Sequence, residues 1–494
     1  MRTFRTRQRE TGGSAHRREV VMDREVQNWF QEHHEGVEEL AKRIFEHPEL
    51  SGEEEYACSE IAAYLRKYGF ETETYPVAPA KVHNGLTAKW GSGYPVIAIL
   101  GEYDALPGLG QKASPKREPL DGPGHGCGHN LMGAGCAAGA VAAKQAMEAK
   151  QLSGTIKYYG CPAEEGLAGK VQMLKMGCFA DVDLCIAWHT GGPFRVCEHI
   201  CQSMISTEFH FYGITAHAAC APQEGRSALD AAQLMNVGVE FLREHIEDNV
   251  RIHYVFGAAG ERPNVVPAHA AVKYYIRSWN RESVDRVFDR VCDIARGAAL
   301  MSGTTVTYKI ISGGYEPILN FTLNAALYES MQKVPDIVYD ENDYRFAEEL
   351  YQNYNGQEAP ETLDMAGREH IMGKCGLLPT HLCKPLGHGW MESGSTDVND
   401  VSQVIPTVQL FGGGVMGVGG HSWGVTASSG SAVGRKAAVQ AGKYIAQFCI
   451  DVLENREVVE QSKEELWQIR KEKPEYSPIL ATDGEIPLRA GEDK

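Results

Sequence analysis

Apolar residues recur at helical spacing near the start of the chain. Five of them follow the 3.6-residue period of a helix that faces a core, namely Val37, Leu40, Ala41, Ile44 and Phe45. The segment that begins His47-Pro48 ends this helix, because proline does not continue one. Ser51 and Glu54 then form a capping-box pattern, which predicts a second helix that continues to about Tyr68.

Short apolar runs alternate with helical segments over the next part of the chain. The predicted strands cover residues 71–75, 86–90, 96–101, 154–159 and 184–188, and a small-residue helix covers 130–150. Strands that alternate with helices predict an α/β layer with a largely parallel sheet. Further along, residues 323–333 and 343–354 predict two helices. Residues 404–411 predict a buried strand, which a glycine-rich loop and a helix over 430–453 follow.

The order of elements changes at about residue 205. A strand, a helix, two strands, a helix and a last strand follow one another, over residues 205–211, 227–245, 250–256, 270–279, 283–300 and 304–311. This βαββαβ order is the ferredoxin-like pattern. We therefore predict an α/β domain over residues 22–204 and 313–494, with a smaller α+β domain inserted at 205–312. The tail from residue 457 is charged and predicts a helix followed by coil.

The composition is that of a globular protein and argues against several classes of partner. The 494 residues exceed the size of one ordinary core, so more than one domain is expected. The formal net charge of −17 argues against nucleic acid as the main partner, because phosphate binding needs a basic surface. The apolar runs stay below the roughly 18 residues of a membrane span. The arginine-rich residues 1–21 lack a signal-peptide core and predict a disordered extension.

The thirteen cysteines are scattered and odd in number. Several of them, such as Cys136, Cys185 and Cys292, lie in apolar segments. This distribution is typical of reduced thiols and predicts a cytoplasmic protein rather than a disulfide framework.

One cysteine has a different setting, in the glycine-rich stretch 124–130. Cys127 and His129 stand two residues apart there and offer a soft and a borderline ligand to a divalent metal. Glycines on either side let the backbone turn tightly and bring such ligands close. The pair alone is equally compatible with a buried structural cysteine.

Further candidate ligands fall at the ends of the predicted strands. The residues just past a strand's carboxyl end, or in the loop that follows, are Asp104, Cys127, Glu165, His189 and His421. Singly, such residues are more often solvated acids or structural histidines, but the carboxyl edge of an α/β sheet is where sites form. Three protein ligands and a water make one catalytic metal site, so five candidates predict two metals. Glu164, beside Glu165, would face a metal-bound water as its base.

Two glycine motifs near the end of the chain are typical of other enzymes, but neither is complete. Residues 420–424 read G-x-S-x-G, yet the serine-hydrolase arrangement needs a histidine after the serine, and none follows His421. Residues 412–417 read G-x-G-x-x-G, yet the next acidic residue is Asp451, too distant for a dinucleotide site. The sequence therefore favours metal chemistry over both.

A series of short motifs runs in order through residues 22–453. It comprises residues 47–50 (HPEL), 101–107 (GEYDALP), 125–130 (HGCGHN), 162–165 (PAEE), 188–189 (WH), 213–219 (GITAHAA), 264–266 (NVV), 395–398 (STDV) and His421. In these motifs the chain resembles the metal-dependent aminoacylase and carboxypeptidase family, and within it the amidohydrolase branch. The resemblance implies a two-metal, peptidase-type α/β catalytic domain that carries an inserted ferredoxin-like dimerisation domain, or lid.

The resemblance also implies roles for individual residues. The metal ligands it implies, for two divalent cations per chain (zinc or manganese), are Cys127, His129, Glu165, His189 and His421. Glu164 corresponds to the general base, and His217 to a histidine that stabilises the oxyanion in the partner's site, while Asp104 is predicted as a further catalytic residue. Asn264 and Arg277 correspond to residues that hold the substrate carboxylate.

Two residues depart from the family pattern. Many members of the branch have aspartate after the motif histidine, where this chain has Asn130. They also carry two aspartates before Ala-Leu-Pro, whereas this chain has Glu102 and then Asp104. The sequence therefore leaves open which residue bridges the two metals.

The resemblance implies hydrolysis of the amide bond in an N-acyl or aroyl amino acid, such as the p-aminobenzoyl-glutamate that folate breakdown supplies. Two alternatives stay open. One is a hydrolase of other N-acyl amino acids or of dipeptides, and the other is a metal-binding partner chain without turnover of its own. The expected assembly is a homodimer, or a heterodimer with a related chain, with no nucleic-acid or membrane partner.

Overall fold

The structure is a computed structural model that describes residues 21–360, 363 and 375–488. The predicted N-terminal extension lies outside these residues, apart from its last one. The helices are α1 (Arg24–Glu46), α2 (Glu55–Lys67), α3 (His129–Lys150), α4 (Gly169–Lys175), α5 (Ala228–Leu242), α6 (Arg281–Ser302), α7 (Phe321–Met331), α8 (Glu341–Asn355), α9 (Val398–Ser402), α10 (Trp423–Gly430), α11 (Ala432–Glu454) and α12 (Glu457–Arg470). The strands are β1 (Glu71–Tyr75), β2 (Gly85–Ser92), β3 (Val96–Glu102), β4 (Gly154–Cys161), β5 (Leu184–His189), β6 (Arg195–Val196), β7 (His199–Ile200), β8 (Ser203–Tyr212), β9 (Arg251–Ala258), β10 (His269–Ser278), β11 (Thr305–Gly314), β12 (Trp390–Met391), β13 (Thr407–Phe411) and β14 (Ile486–Pro487).

A seven-stranded sheet forms the centre of the larger domain, in the order β1-β2-β4-β3-β5-β13-β6. Four of its five inner strands, β4, β3, β5 and β13, are parallel to one another. Successive residues of β3 point to opposite faces, so Ile97 and Ile99 join one hydrophobic core while Ala98 and Leu100 join another. Both faces are covered, so the residues of these four strands are almost wholly buried and most of them are apolar. The predicted α/β class is confirmed.

The small-residue helix α3 packs closely against α11 on one face of this sheet. A Cβ atom at Gly135 would lie 2.8 Å from the carbonyl oxygen of Ala438, and one at Gly139 would lie 2.8 Å from Ile445 Cγ2. Glycine at these positions therefore lets the two helices approach. This packing fixes the first residue of α3, His129, at the sheet.

A second, antiparallel sheet has the order β14-β11-β8-β10-β9, and α5 and α6 cover one of its faces. Its elements β8, α5, β9, β10, α6 and β11 follow the βαββαβ order that the sequence predicted. Residues of both helices and of four strands share one core, separate from the cores of the larger sheet. The predicted ferredoxin-like α+β part of the fold is therefore present.

The C-terminal tail departs from the predicted helix and coil. After α12, strand β14 pairs with Thr307 and Tyr308 of β11, at the edge of the second sheet. The carboxylate of Glu485 accepts hydrogen bonds from the hydroxyls of Thr307 and Tyr212. A strand of two residues is too short to show a hydrophobic periodicity in the sequence. It forms because the edge strand β11 offers it hydrogen-bond partners. Part of the segment 313–494, predicted for the larger domain, thus belongs to the second sheet.

Helices α7 and α8 lie where the sequence predicted two helices, and each begins two residues earlier than predicted. Asp340 and Asp343 form a capping box at the start of α8. All thirteen cysteines carry free thiols, and only Cys220 is exposed. Among the residues described, no helix combines the length and the apolar character needed to cross a membrane.

Asp400 is a buried carboxyl group where α9, β11 and the tail meet. Its oxygens accept hydrogen bonds from the backbone N–H of Tyr315 and the hydroxyl of Tyr476. Burial raises the pKa of the Asp400 carboxyl to about 7, because the ionised form loses its water shell. Ionisation of Asp400 therefore weakens the fold.

We expect Asp400 to make the protein less stable as the pH rises. The pKa of Asp400 in the fold, about 7, lies above its ordinary value of 3.8. Its contribution to stability is therefore complete below pH 3.8 and is lost as the pH rises towards and through about 7. Within this window the contribution changes by about 1.4 kcal/mol per pH unit. Chemical denaturation between about pH 5 and pH 7 should show that the free energy of unfolding of the wild type falls, relative to that of Asp400→Asn, by about 1.4 kcal/mol per pH unit. A difference that does not change with pH would contradict this expectation.

Candidate metal centre

Four strand ends of the large sheet meet at one edge. Strand β3 ends at Glu102 and β5 ends at His189, while the loops after β4 and β13 carry Glu164-Glu165 and His421. Because these strands are parallel, their carboxyl ends lie side by side. The candidate ligands that the sequence located at strand ends therefore come together in space.

The ligand atoms form three groups in which every atom lies within 4.8 Å of the others. The groups are Cys127, His129 and His189; Cys127, Glu165 and His421; and Glu102, His129 and Glu164. Cys127 belongs to two groups and His129 to two, so the groups form one continuous cluster. Cys127 Sγ lies 3.4 Å from His189 Nε2, and His421 Nε2 lies 3.5 Å from Glu165 Oε2.

The turn that carries Cys127 depends on a glycine. Gly128 has a left-handed φ of 84°, and a Cβ there would lie 2.9 Å from the side chain of Thr190. The Thr190 hydroxyl donates to the carbonyl of Cys127 at 2.6 Å. His189 Nδ1 lies 2.8 Å from the carbonyl oxygen of Thr190, which makes Nδ1 the donor and leaves Nε2 unprotonated towards Cys127. The residue after β5 thus orients two candidate ligands.

Asp104 holds His129. Its Oδ1 lies 2.8 Å from His129 Nδ1, and its Oδ2 accepts hydrogen bonds from the Ser51 hydroxyl and the Glu165 backbone N–H. Burial alone would raise the pKa of Asp104, but His129 outweighs it and the pKa is lowered to about 2. His129 Nε2 is buried and has no hydrogen-bond partner among the described residues. Asp104, predicted as a catalytic residue, thus has the geometry of one that positions His129 and Glu165.

Glu54 contacts the site in a way that the sequence did not predict. The predicted capping box is wrong, because Ser51 turns towards the cluster and Glu54 makes no side-chain cap on α2. The buried Glu54 carboxylate instead accepts hydrogen bonds from the Asn84 amide and, at 2.7 Å, from the backbone N–H of Ala163. Ala163 has a positive φ of 53° and precedes Glu164. Glu54 therefore holds a strained turn that leads into the acidic pair.

The cluster carries more negative than positive side chains. Its acids, all buried or largely buried, are Glu102, Asp104, Glu164, Glu165 and Asp397. The buried Lys170 pairs with only two of them, Glu102 at 2.6 Å and Asp397 at 2.5 Å. Burial raises the pKa of Glu164 well above its usual range and also raises that of Glu165. Carboxylates that stay ionised in such surroundings require nearby cations.

The donor set fits divalent metal ions. Thiolate sulfur, imidazole nitrogen and carboxylate oxygen are the ligands of zinc sites, and imidazole and carboxylate also suit manganese. Three of these atoms, Glu102 Oε2, His129 Nε2 and Glu165 Oε1, are buried without a hydrogen-bond partner in the described part of the chain. An ion in the cluster would satisfy them.

His217 and Asn264 lie together in the second sheet's domain. Val265 forms an isolated backbone bridge with His217, and the carbonyl of Asn264 accepts the N–H of Ala218. Both side chains are exposed. Within residues 21–360, 363 and 375–488, no hydrogen bond joins either of these two predicted residues to the cluster.

Arg277 lies closer to the larger domain. It is half-buried on β10, and its guanidinium donates to the Ser395 hydroxyl at 3.1 Å. Ser395 donates in turn to the carbonyl of Gln202. Ser395 stands two residues before Asp397, the partner of Lys170, so Arg277 contacts the segment that leads to the acidic cluster.

A cavity of about 280 Å³ opens beside the candidate ligands. Cys127 and His189 form part of its wall, and the Phe411 ring stacks on His189 with centroids 4.9 Å apart. The buried guanidinium of Arg195 lies 4.9 Å from the Phe411 ring centroid. Sequence patterns did not single out Arg195, because a lone arginine outside a motif has no signal. A mostly apolar cavity beside a metal cluster has the properties of a pocket for a small organic group.

Comparisons with known proteins agree with this geometry. The model of Peptidase family M20/M25/M40 matches residues 98–350. The B chain of the p-aminobenzoyl-glutamate hydrolase of Escherichia coli is 33% identical over 464 residues, which cover 91% of this chain and 96% of that protein. The Xaa-Arg dipeptidase of Mus musculus is 30% identical, over 66% and 74% of the two chains. The A chain of the Escherichia coli hydrolase is 33% identical, over 44% and 52%.

Solved structures share the fold. An aminobenzoyl-glutamate utilization protein from Klebsiella pneumoniae matches with a TM-score of 0.58 and 19% identity, over 85% of this chain and 98% of that one. A dinuclear metal-binding peptidase of the M20 family from Bacillus subtilis matches with a TM-score of 0.57 and 21% identity, over 86% and 99%. The fold that the motifs implied is thereby confirmed.

We expect metal binding to release protons. Burial raises the pKa of the Cys127 thiol to about 12, so the thiol is protonated at neutral pH until a metal takes the thiolate. Calorimetric titration with Zn²⁺, in two buffers of different ionisation enthalpy, should show release of at least about one proton per chain. Cys127→Ser should release about one proton fewer, and Cys178→Ser, outside the cluster, should match the wild type. Heats that do not depend on the buffer would contradict this.

Proposed function

The chain belongs to Peptidase family M20/M25/M40, and from this premise we propose that it hydrolyses the amide bond of an N-acyl or aroyl amino acid, with p-aminobenzoyl-glutamate as its substrate. The observation that carries the proposal is the cluster that joins Cys127, His129, Glu165, His189 and the exposed His421. Similarity along nearly the whole chain to one component of a p-aminobenzoyl-glutamate hydrolase supports the substrate.

The cluster is proposed to hold two divalent cations, zinc or manganese. Cys127, His129 and His189 would hold one, and Cys127, Glu165 and His421 the other, since each set has its ligand atoms close together. When bound, the ions polarise the scissile carbonyl and lower the pKa of a water molecule. Cys127 is common to both sets, so it would contribute to holding either ion.

Glu164 is proposed as the general base. Its Oε2 lies 3.9 Å from His129 Nε2, so the carboxylate borders the cluster without being in either proposed ligand set. Burial raises the pKa of Glu164, and a raised pKa makes a carboxylate a better proton acceptor. Glu164 takes a proton from the attacking water and gives it to the leaving amine nitrogen as the amide C–N bond breaks.

The inserted domain, residues 205–312, is proposed to form a homodimer that delivers His217 to the partner's site, where it stabilises the oxyanion. One face of α5 exposes Leu234, Val237 and Phe241, and β9 is an edge strand of the described sheet. Exposed apolar faces and free strand edges are typical of pairing surfaces. The exposed position of His217 in one chain agrees with a role in the other.

Asn264 and Arg277 are proposed to hold the substrate carboxylate. Asn264 is exposed beside His217, and Arg277 is half-buried and donates a hydrogen bond to Ser395. Guanidinium groups bind carboxylates in a bidentate geometry. The positive charge of the guanidinium favours a substrate that carries a negative charge.

Two alternatives have their own support. The similarity to an Xaa-Arg dipeptidase favours a dipeptide as a second candidate substrate. The two Escherichia coli relatives are named as different components of one hydrolase, which favours a related chain as a second candidate partner. The complete ligand set favours a catalytic chain over a partner chain without turnover. The free thiols support a reducing, cytoplasmic environment.

We expect the purified chain to release p-aminobenzoate from p-aminobenzoyl-glutamate with added Zn²⁺ or Mn²⁺, and not with a chelator. Glu164→Gln should lower kcat by about 10²- to 10⁴-fold and still bind two ions, because it removes only the proton acceptor. Chromatographic detection of p-aminobenzoate, with metal analysis of the same samples, measures both. If the chain hydrolyses a dipeptide but not p-aminobenzoyl-glutamate, the proposed substrate is wrong. If Glu164→Gln retains turnover, Glu164 is not the general base.

We expect two inactive variants to restore each other when mixed. Glu164→Gln and His217→Ala damage different parts of a site built from both chains of the dimer, so a mixed dimer keeps one intact site. Random reassembly should restore about a quarter of wild-type activity, since half of the dimers are mixed and each has one good site of two. Unmixed variants assayed at the same concentration are the controls. No recovery in a verified mixed dimer would contradict a shared site.

A further inference from the structure

Lys170 is a fully buried lysine in the first turn of α4 for which the proposed mechanism has no role. Its Nζ lies 2.6 Å from Glu102 Oε1 and 2.5 Å from Asp397 Oδ1. Its backbone N–H also donates to Asp397 Oδ2, at 2.8 Å. The ammonium is therefore fixed from two directions, by the end of β3 and by the start of α9.

The two carboxylates that Lys170 joins differ in one respect. Both oxygens of Asp397 accept hydrogen bonds from Lys170, one from the side chain and one from the backbone. Glu102 uses only one oxygen in this way. Its Oε2 is buried and has no hydrogen-bond partner among the described residues, although the residue is only 2% exposed.

The free oxygen of Glu102 points into the candidate metal cluster. It lies 3.6 Å from His129 Nε2, which is itself without a partner in the described chain. Glu102, His129 and Glu164 form one of the three groups of close ligand atoms. A buried carboxylate oxygen that contacts neither a hydrogen-bond donor nor a cation is energetically unfavourable. A metal ion bound in the cluster would give Glu102 Oε2 such a contact.

We propose that Glu102 is a sixth protein donor to the metal centre, and that Lys170, braced by Asp397, is the positioning residue that directs its free oxygen to the ions. The proposal rests on the metal-dependent function proposed above.

A lysine suits this position because of its donor chemistry. An ammonium group offers three donors and no acceptor, so it binds one oxygen of each carboxylate and does not compete for the metal. Partners of this kind orient metal ligands, and their loss typically weakens metal binding by about 10- to 100-fold. A purely structural ion network would instead affect folding and leave the metal affinity unchanged.

Metal binding, measured apart from turnover, tests the proposal. The full-length chain is stripped with a chelator and titrated with Zn²⁺ against a competing chelator, and bound ions are counted by plasma mass spectrometry. The wild type should bind two ions. Glu102→Gln keeps the size of the side chain and Lys170→Met keeps most of its length, and each should weaken at least one ion by about 10- to 100-fold.

Lys157→Met is the matched control. Lys157 is also a buried lysine on the large sheet, and it pairs with Asp181 at 2.6 Å, outside the cluster. This variant should bind both ions with wild-type affinity. If Lys170→Met does not fold, Glu102→Gln decides the question, since it removes the donor and keeps the shape.

Two ions bound to Glu102→Gln with wild-type affinity would overturn the inference and leave the proposed function in place. Weakened binding in Lys170→Met alone would also overturn it, because Lys170 would then act on the ions through another route. A wild-type chain that binds no ion would overturn the proposed function and this inference with it.

Discussion

Negative charge buried at the carboxyl edge of one parallel sheet is the constraint that explains most of the site. Strands β3, β4, β5 and β13 end side by side, and acids at or after the ends of β3 and β4 face a common space. The buried ammonium group of Lys170 neutralises only part of that negative charge. Cations bound in the cluster would neutralise the remaining carboxylates and meet the unpaired ring nitrogen of His129. Metal binding of this kind would stabilise the folded chain, because the unfolded chain does not hold these ligands together.

The residues around the cluster act mainly by orienting others. Asp104 fixes the ring of His129 and the backbone of Glu165 with its two oxygens. Glu54 holds the strained turn before the acidic pair, at Ala163. Lys170 holds Glu102. Such contacts reduce the freedom of the ligands before any ion arrives, which favours both the affinity and the geometry of a metal site.

Much of the fold follows from local patterns, and so does the location of the site. Apolar strands alternating with helices indicate a parallel sheet, and parallel strands place their carboxyl ends together, so His189 and His421 were located from periodicity alone. The buried ion network was not, because its partners are distant in sequence. Lys170 meets Asp397 at a separation of 227 residues, and Glu54 meets Ala163 at 109. Charged residues in polar segments look solvent-exposed until the fold buries them, and the short strand β14 likewise exists only because β11 offers it a sheet edge.

Anomalous diffraction from crystals grown with Zn²⁺ or Mn²⁺ would test most directly whether a pair of ions completes the cluster. Data collected at the absorption edge of the added metal locate each ion without reference to any assumed ligand set. Two peaks per chain are expected, both beside Cys127, one towards His189 and one towards His421. A single peak, or peaks only at the protein surface, would contradict a two-metal centre at the end of the parallel sheet.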